Sequence, residues 1–328
     1  MVKQSLISAL ISFLISVTSG FIVIPLLRKL KAGQPILGYV KEHNEKSGTP
    51  TMGGLFFILS ATIVFFIFGG YKSRIALLSL TVGLAFMIVG FLDDFIKIKF
   101  FKNEGLKAYQ KIIFQTAIAL VCGVFAYSNG LTNFFIPFTK TALSLGVFTI
   151  PIVSIIFIAI TNSVNLTDGL DGLAGGVSVV YLVVMATLIS LQLSTHVTNY
   201  LVSEEYENLI LLSTCLVGAI LGFLIFNVNR AKVFMGDTGS LSLGGFIGAI
   251  SVFSSNSFFI PIFGIMFVAS SISVIVQVVY FKRTGKRVFL MAPLHHHFQH
   301  KGYTECKIAF CYMLITAVVG CVTLLTYL

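Results

Sequence analysis

Five aspartates in three separate segments are the residues of this chain whose type and spacing suggest chemistry. Asp93 and Asp94 are adjacent and close a long apolar stretch in the run GFLDDFIK, with Lys97 one helical turn further on. Adjacent carboxylates repel each other, and the dipole at a helix C-terminus disfavours them by ~0.3–1 kcal/mol. A charged stop at a membrane edge is the alternative interpretation. We interpret the two residues as a carboxylate pair that holds a cation or a proton.

The second segment is NLTDGLDGLAGG, which contains Asn165, Asp168 and Asp171. If the segment is helical, these three residues share one broad face. One of the aspartates could be only a helix cap. Capping, however, does not need two aspartates, an asparagine and four glycines together. Because glycines let backbone N–H groups approach a ligand, and a helix N-terminus suits a phosphate, we expect a ligand to bind here.

The third segment, VFMGDTGS, has a lone carboxylate, Asp237, between glycines at the predicted start of a helix. A helix cap is again the alternative. Mg²⁺ in proteins typically takes one or two carboxylates and leaves its other positions to water and phosphate oxygens. The spacing therefore favours Asp237 as an oxygen ligand for Mg²⁺.

A run of histidines, MAPLHHHFQH, contains four of the six histidines of the chain: His295, His296, His297 and His300. Adjacent histidines cannot all face one zinc ion. Binding of an anionic phosphate, or acid–base chemistry, fits this run better. A further run, KSGTPTMGG, is by itself only a Gly/Pro turn beside a cation.

The elements that position these residues must be membrane helices. The chain is 56% hydrophobic and only 10% charged, with a mean hydropathy of +0.97. A helix needs ~20 apolar residues to cross a bilayer, and a transmembrane β-barrel would instead show ~10-residue alternating segments. The sequence predicts one all-α integral membrane domain over residues 1–328, with about ten transmembrane helices. The spans are approximately 5–27, 54–69, 75–92, 112–128, 143–160, 173–193, 208–226, 240–255, 258–281 and 305–327.

The basic residues predict the orientation. Eighteen of the 22 lysines and arginines fall in or beside the loops that follow the odd-numbered spans. Since cytoplasmic loops carry the excess of basic residues, these loops are cytoplasmic and both termini are extracytoplasmic. All five aspartates then lie in cytoplasmic loops or helix ends, where we expect the active site. The net charge of +10 is interpreted as topology and contact with membrane lipids, with no nucleic acid as partner.

Together these segments resemble the phospho-N-acetylmuramoyl-pentapeptide transferase family (translocase I of peptidoglycan synthesis), within the polyprenyl-phosphate N-acetylhexosamine-1-phosphate transferases. The resemblance runs from Lys46 to Phe298, in matching order and on the same membrane side. The aspartate pair, NLTDGLDGLAGG and FMGDTGS are shared across the superfamily, whereas MAPLHHHF and GTPTMGG point to the muramoyl branch. One departure is Arg230, where the family usually carries proline.

The resemblance implies an enzyme of the bacterial plasma membrane that transfers phospho-MurNAc-pentapeptide from UDP-MurNAc-pentapeptide to undecaprenyl phosphate. The products are lipid I and UMP, the cofactor is Mg²⁺, and the assembly is a homodimer. Asp237 matches the metal ligand, Asp93 and Asp94 match the catalytic carboxylates, and His296 matches the histidine motif near the phosphates. The substrate-binding positions are matched by Lys46, Thr51, Lys111, Asn165, Asp168, Gly169, Leu170, Asp171, Asn227, Phe234, His295 and His297.

The implied reaction joins two anions, so charge screening by Mg²⁺, Lys97 and the histidines is expected. A phosphomonoester, with a second pKa of about 6, is already largely ionised at pH 7. Asp93 or Asp94 therefore needs only to orient the attacking lipid phosphate or to take its last proton. Direct attack is favoured, and a two-step route through an aspartyl-phosphate stays open.

Three other functions compete with this one. The N-acetylglucosamine-1-phosphate branch would keep the fold and the reaction but change the sugar. A cation-coupled transporter would place acids near mid-membrane and build half-helices from paired repeats, and the sequence shows neither pattern. A lipid-binding scaffold would have no use for five aspartates and a histidine triplet on one face.

Overall fold

A computed structural model of the chain describes residues 2–30, 48–100, 105–139, 141–196, 200–228 and 230–328. These residues form twelve α-helices and one short antiparallel hairpin of β1 (Asn133–Phe135) and β2 (Ala142–Ser144), which confirms the all-α prediction. The helices are α1 (Val2–Lys29), α2 (Gly54–Ile67), α3 (Arg74–Phe100), α4 (Ala108–Ser128), α5 (Thr149–Thr167), α6 (Leu173–His196), α7 (Tyr200–Asn227), α8 (Gly236–Phe253), α9 (Ile260–Phe263), α10 (Ile265–Thr284), α11 (Leu294–His300) and α12 (Glu305–Leu325).

Eight helices in the described part of the chain are long and apolar enough to cross a membrane: α1, α3, α4, α5, α6, α7, α10 and α12. Large apolar side chains also cover the outside of the bundle, and Leu10, Phe21 and Ile155 are 62%, 67% and 65% exposed. Apolar surface on this scale suits contact with lipid. The chain is therefore an integral membrane protein with multiple spans.

The two remaining predicted spans correspond to α2 and α8. Helix α2 has 14 residues, and α8 has 18 residues but opens with the polar run GDTGS. The total of ten spans therefore stays a prediction. Span 258–281 is long, and Pro261 and Gly264 within it predict a bend. The segment does divide into α9 and α10 at Gly264, which confirms this prediction.

Helix α5 begins and ends later than the predicted span 143–160. The hydropathy pattern stops at Ile160 because polar residues follow it. The helix nevertheless continues to Thr167, and the side chains of Asn162 and Ser163 donate to the carbonyls of Ile158 and Ala159, each at 2.7 Å. Such back-bonding satisfies these polar side chains within the helix itself. The continuation places Asn165 in the last turn of α5.

Helix α8 is the central element, and it packs most extensively against α3 and α5. Every residue of α8 except Asp237 is buried. Glycines allow the close approach of α3: a Cβ at Gly90 would lie 2.0 Å from the carbonyl oxygen of Asp237, and a Cβ at Gly83 would lie 2.3 Å from the ring of Phe246. Small residues at helix contacts are typical of membrane bundles, where close packing stabilises association.

Glu205 of α7 anchors the other end of α3. Its carboxylate accepts hydrogen bonds from the backbone N–H groups of Arg74 and Ile75 at 3.2 and 2.9 Å and also from the Ser73 hydroxyl. The first N–H groups of a helix have no partner within the helix. The Glu205 carboxylate supplies an acceptor for these N–H groups from a neighbouring helix, and so fixes the position of α3 along its axis.

We predict that Gly90→Ala destabilises the protein by about 1–3 kcal/mol, because the added methyl group must push α3 away from the start of α8. The midpoint of thermal unfolding in detergent should fall. Leu92→Ala, at a position 38% exposed on the same helix, is the control and should change the midpoint little. Equal midpoints for Gly90→Ala and the unmodified chain would contradict this account of the packing.

Candidate active site

The aspartate pair lies inside α3, which continues to Phe100. The prediction that Asp93 and Asp94 close the helix is therefore wrong by almost two turns. The reason is an ion pair between Lys97 Nζ and Asp93 Oδ2 at 2.6 Å, with the spacing i, i+4. Such pairs stabilise a helix, and this one carries α3 beyond the two carboxylates.

Asp94 caps the start of α8 from the neighbouring helix. Its Oδ2 accepts from the backbone N–H of Thr238 at 2.9 Å and from the Thr238 hydroxyl at 2.7 Å. The N-terminus of a helix carries partial positive charge, which favours an anion there. The interaction compensates for the complete burial of Asp94.

Asp237 is the second residue of α8, so the prediction that it opens a helix is confirmed. Its Oδ2 lies 2.6 Å from Lys111 Nζ and 3.4 Å from Lys97 Nζ. Its Oδ1 accepts from Asn165 Nδ2 at 2.9 Å. Asn165 also donates to the hydroxyl of Ser240 at 2.8 Å, so the last turn of α5 is tied to the first turn of α8.

Two lysines join the three carboxylates into one cluster. Lys97 Nζ is 3.7 Å from Asp94 Oδ1, and Lys111 Nζ is 3.1 Å from Asp93 Oδ1. Asp93 Oδ1 also accepts from the backbone N–H of Leu106 at 2.7 Å. Residues from α3, α4 and α8 thus meet at one point, which we call the carboxylate cluster: Asp93, Asp94, Asp237, Lys97 and Lys111.

The carboxylate cluster fits a divalent cation. Each of the three acids offers an oxygen within 4.8 Å of the other two. Asp94 Oδ1 is buried and has no hydrogen-bond donor among the described residues. Carboxylate oxygens are ligands that hard divalent cations prefer. Asp93, Asp94 and Asp237 would hold such an ion, and Asp237 is the most accessible of the three.

The segment between α5 and α6 is a turn, which we call the DGLDG turn (residues 168–172). Asp168 follows the last residue of α5, and α6 begins at Leu173. The prediction of one helical face for Asn165, Asp168 and Asp171 is therefore wrong. Burial raises the pKa of Asp168 well above its ordinary value, and the charges of Asp237 and Asp94 add to the rise.

The side chains of Asp171 and Asn227 connect the DGLDG turn to the neighbouring loop. Asp171 Oδ2 accepts from the backbone N–H of Ala231 at 2.9 Å. Asn227 accepts from the N–H of Gly172 at 3.0 Å and donates to the carbonyl of Val233 at 2.9 Å. Their side chains therefore join the turn to the loop before α8. The structure does not bring them into the carboxylate cluster.

The three consecutive histidines lie on α11 and face different surroundings. His295 is fully buried, and burial lowers its pKa to about 3, so it is neutral at pH 7. His295 Nε2 and His296 Nε2 both face Gly169, at 2.3 and 3.1 Å from the position of a Cβ added there. His297 Nδ1 instead accepts from the backbone N–H of Leu290 at 3.1 Å.

Two further predicted binding residues, Thr51 and Phe234, lie beside the start of α8. Thr51 is buried, and its hydroxyl has no partner among the described residues. The backbone of Phe234 donates to the carbonyl of Pro50 at 2.8 Å and accepts from the N–H of Gly53 at 2.9 Å. Leu170 is 5% exposed and packs in the core. Lys46 lies outside the described residues.

Comparison with known proteins identifies the family of this chain. A model of glycosyl transferase family 4 matches residues 75–255, and the phospho-N-acetylmuramoyl-pentapeptide-transferase signature 1 matches residues 46–58. A phospho-N-acetylmuramoyl-pentapeptide-transferase of Clostridium botulinum (strain Alaska E43 / Type E3) is 43% identical over 320 residues, covering 97% of this chain and 95% of the relative. The protein of the same name from Clostridioides difficile (strain 630) is 43% identical over 325 residues, with 97% and 96% covered.

The chain belongs to the phospho-N-acetylmuramoyl-pentapeptide transferase family. The nearly full-length match to named relatives decides this, and a third relative, from Thermoanaerobacter sp. (strain X514), is 41% identical with 97% of each chain covered. The prediction of the muramoyl branch of the superfamily is confirmed. The chain is accordingly a membrane-bound transferase of peptidoglycan synthesis.

Two site residues of this family member were not singled out from the sequence. Thr238 binds Asp94, and Ser240 binds Asn165. Both stand in the quoted run GDTGS, where a threonine or serine in the first turn of a helix could have signalled a polar contact. Glu305 is a third, because it accepts from the backbone N–H of Asp171 at 3.1 Å, and no sequence pattern indicates that contact.

We predict that Gly169→Ala lowers transferase turnover at least about tenfold, because the added methyl group would meet His295 Nε2 at 2.3 Å and displace α11 from the DGLDG turn. Initial rates of the purified protein would measure the effect. Ala174→Gly, at a buried position in the first turn of α6, is the control for general loosening of this region. Full activity of Gly169→Ala would contradict the close contact between Gly169 and the His295 ring.

We predict that Lys111→Gln tightens binding of Mg²⁺ to the carboxylate cluster, because Lys111 Nζ is a competing cation. Two unit charges about 4 Å apart interact by about 1 kcal/mol even at the dielectric constant of water, so affinity should rise at least about fivefold. Calorimetric titration in detergent would measure it. Lys107→Gln, one turn earlier and exposed, should leave the affinity unchanged. Weaker binding by Lys111→Gln would overturn the prediction.

Proposed function

We propose that this chain transfers phospho-MurNAc-pentapeptide from UDP-MurNAc-pentapeptide to undecaprenyl phosphate, forming lipid I and UMP. The observation that carries the proposal is the carboxylate cluster at the ends of α3, α4 and α8, in a membrane protein of this family. Both substrates are anions. A site with three acids and two lysines can bind a divalent cation and an anionic phosphate side by side.

Mg²⁺ is the proposed cofactor, held by Asp237 together with Asp93 and Asp94. When bound, it supplies charge neutralisation to the phosphate oxygens. The chain's own groups do the positioning. Lys111 and Lys97 each contact Asp237 and extend positive charge toward the phosphates, and Asp168, Gly169 and the histidines form the opposite side.

The reaction proposed is a single displacement. An oxygen of undecaprenyl phosphate forms a new P–O bond to the sugar-linked phosphorus, and the bond from that phosphorus to the bridging oxygen breaks, so that UMP leaves. Asp94 Oδ2 already accepts two hydrogen bonds from Thr238, and Asp93 Oδ1 accepts one from Leu106. Carboxylates held in this way are suited to orienting an attacking phosphate, and this favours direct attack over an aspartyl-phosphate.

The nucleotide end of the donor is proposed to bind along the DGLDG turn and the loop before α8. The hydrogen bonds of Asp171 and Asn227 join these two segments into one surface. Leu170, Phe234, Thr51, His295 and His297 are proposed to border this surface, and Lys46 belongs to the same proposal.

The topology and the assembly are proposed as well. Both termini are proposed to be extracytoplasmic and the carboxylate cluster cytoplasmic, with ten spans including α2 and α8. The assembly is proposed to be a homodimer.

The central test is Mg²⁺-dependent release of UMP from UDP-MurNAc-pentapeptide in the presence of undecaprenyl phosphate. Asp237→Asn removes one charge between the two lysines and should reduce turnover at least about a hundredfold, with an unchanged unfolding midpoint. Glu207→Gln, exposed on α7, is the matched control and should retain full activity. Near-normal turnover of Asp237→Asn would exclude its metal role.

Two other functions give different results in the same assays. Turnover of UDP-GlcNAc but not of UDP-MurNAc-pentapeptide would assign the chain to the N-acetylglucosamine-1-phosphate reaction. Ion-driven uptake of a solute into proteoliposomes without UMP release would assign it to transport. The position of the acids at helix ends disfavours transport, since coupling-ion sites lie near the bilayer midplane.

A further inference from the structure

A row of three polar side chains connects the start of α12 to the middle histidine of α11. Glu305 Oε1 lies 3.5 Å from Gln299 Nε2, and Gln299 Oε1 lies 3.0 Å from His296 Nδ1. The other oxygen of Glu305 accepts from the backbone N–H of Asp171 at 3.1 Å. Gln299 is buried, with 8% of its surface exposed. The row therefore runs from the DGLDG turn through Glu305 and Gln299 to His296.

The chemistry of this row fixes the direction of each hydrogen bond. A carboxylate only accepts, so Gln299 must present its NH₂ group to Glu305. Its carbonyl oxygen then faces His296, and a carbonyl oxygen also only accepts. His296 must therefore carry a proton on Nδ1. In a neutral imidazole the other nitrogen, Nε2, then has a lone pair and no proton.

His296 Nε2 faces the substrate side of the row. It points to Gly169 of the DGLDG turn, 3.1 Å from the position of an added Cβ. The neighbouring ring, His295, is neutral and its centroid is 4.4 Å from that of His296. A ring with a lone pair on Nε2 cannot donate to a phosphate oxygen from that nitrogen. It can accept from a hydroxyl or an N–H group.

We propose that Glu305 and Gln299 are positioning residues that hold a proton on Nδ1 of His296, so that in the neutral ring Nε2 accepts a hydrogen bond from a hydroxyl or N–H group of the sugar nucleotide. The identity of that partner rests on the proposed function. The proton position does not, because it follows from contacts within the chain. In the neutral ring His296 is then an acceptor at Nε2, whereas binding of an anionic phosphate would need a donor there.

The proton position can be measured without substrate. Nitrogen-15 NMR of the full chain, labelled at histidine, distinguishes the two neutral forms of each ring, and the resonance lost in His296→Gln identifies His296. At about pH 8, above the ordinary histidine pKa of about 6.5, we expect His296 to carry its proton on Nδ1. A proton on Nε2 would overturn the proposal, even if transferase activity is confirmed.

A pair of exchanged variants tests the row itself. In Glu305→Gln, one amide cannot accept from both Asp171 and Gln299, so Gln299 should rotate and His296 should move its proton to Nε2. In Gln299→Glu, two carboxylates face each other. Each single variant should lower kcat about tenfold, by analogy with the partners that orient metal-bound histidines. The double variant restores an acceptor-only group beside His296, and it should return kcat to within about threefold of the original.

The result expected for the control variant differs clearly from the results that would overturn the proposal. Lys307→Gln, exposed in the first turn of α12, should change neither kcat nor the histidine spectrum. Unchanged kcat in both single variants would overturn the positioning role, as would a folded double variant no more active than the weaker single one. If the single variants fail to fold, the spectrum of the unmodified chain decides. If UMP release is absent altogether, the same spectrum still tests the proton position.

Discussion

Repulsion among three closely spaced carboxylates is the constraint on which this structure depends. Asp93 and Asp94 are fully buried, and Asp237 lies within 4.8 Å of both. Three such groups cannot all stay ionised without compensation. Two lysines, the first turn of α8 and the backbone N–H of Leu106 supply it. Because these groups come from different helices, neutralising the charge and assembling the bundle are the same requirement.

Close packing makes that compensation effective. Glycines on α3 bring its backbone against the start of α8, and Gly90 leaves room for nothing larger than hydrogen beside the carbonyl of Asp237. Attraction between charges falls with distance and rises in a medium of low polarity. The glycines and the acids are therefore parts of one arrangement. The same small residues that stabilise helix contact in the membrane set the distances within the carboxylate cluster.

The sequence predicts this site in part, and particular residues explain why the rest of the site could not be predicted. Charge, hydropathy and motif spacing predict the helical membrane class, the gathering of three acids with Lys97, the helix start at Asp237 and the break at Gly264. They do not predict that α3 continues past Asp94, because the hydropathy pattern ends at the charged pair and the contact of Asp94 with Thr238 comes from a neighbouring helix. The ion pair of Asp93 with Lys97, which also supports the continuation, lies within α3 itself. Helical spacing fails for Asp168 and Asp171, since α5 ends before Asp168 and the surroundings of Asp171 are set by tertiary contacts with Ala231 and Glu305.

The cap that Asp94 provides for α8 has a consequence for the insertion and folding of the chain in the membrane. A helix whose N-terminal cap comes from another span keeps an uncapped first turn until that span is in place. During insertion, therefore, the first turn of α8 lacks its cap until α3 is in place, and Asp237 lacks Lys97 until then. The carboxylate cluster is complete only when the two helices have packed together, so one hydrogen-bonded carboxylate makes the order of assembly a condition for a complete site.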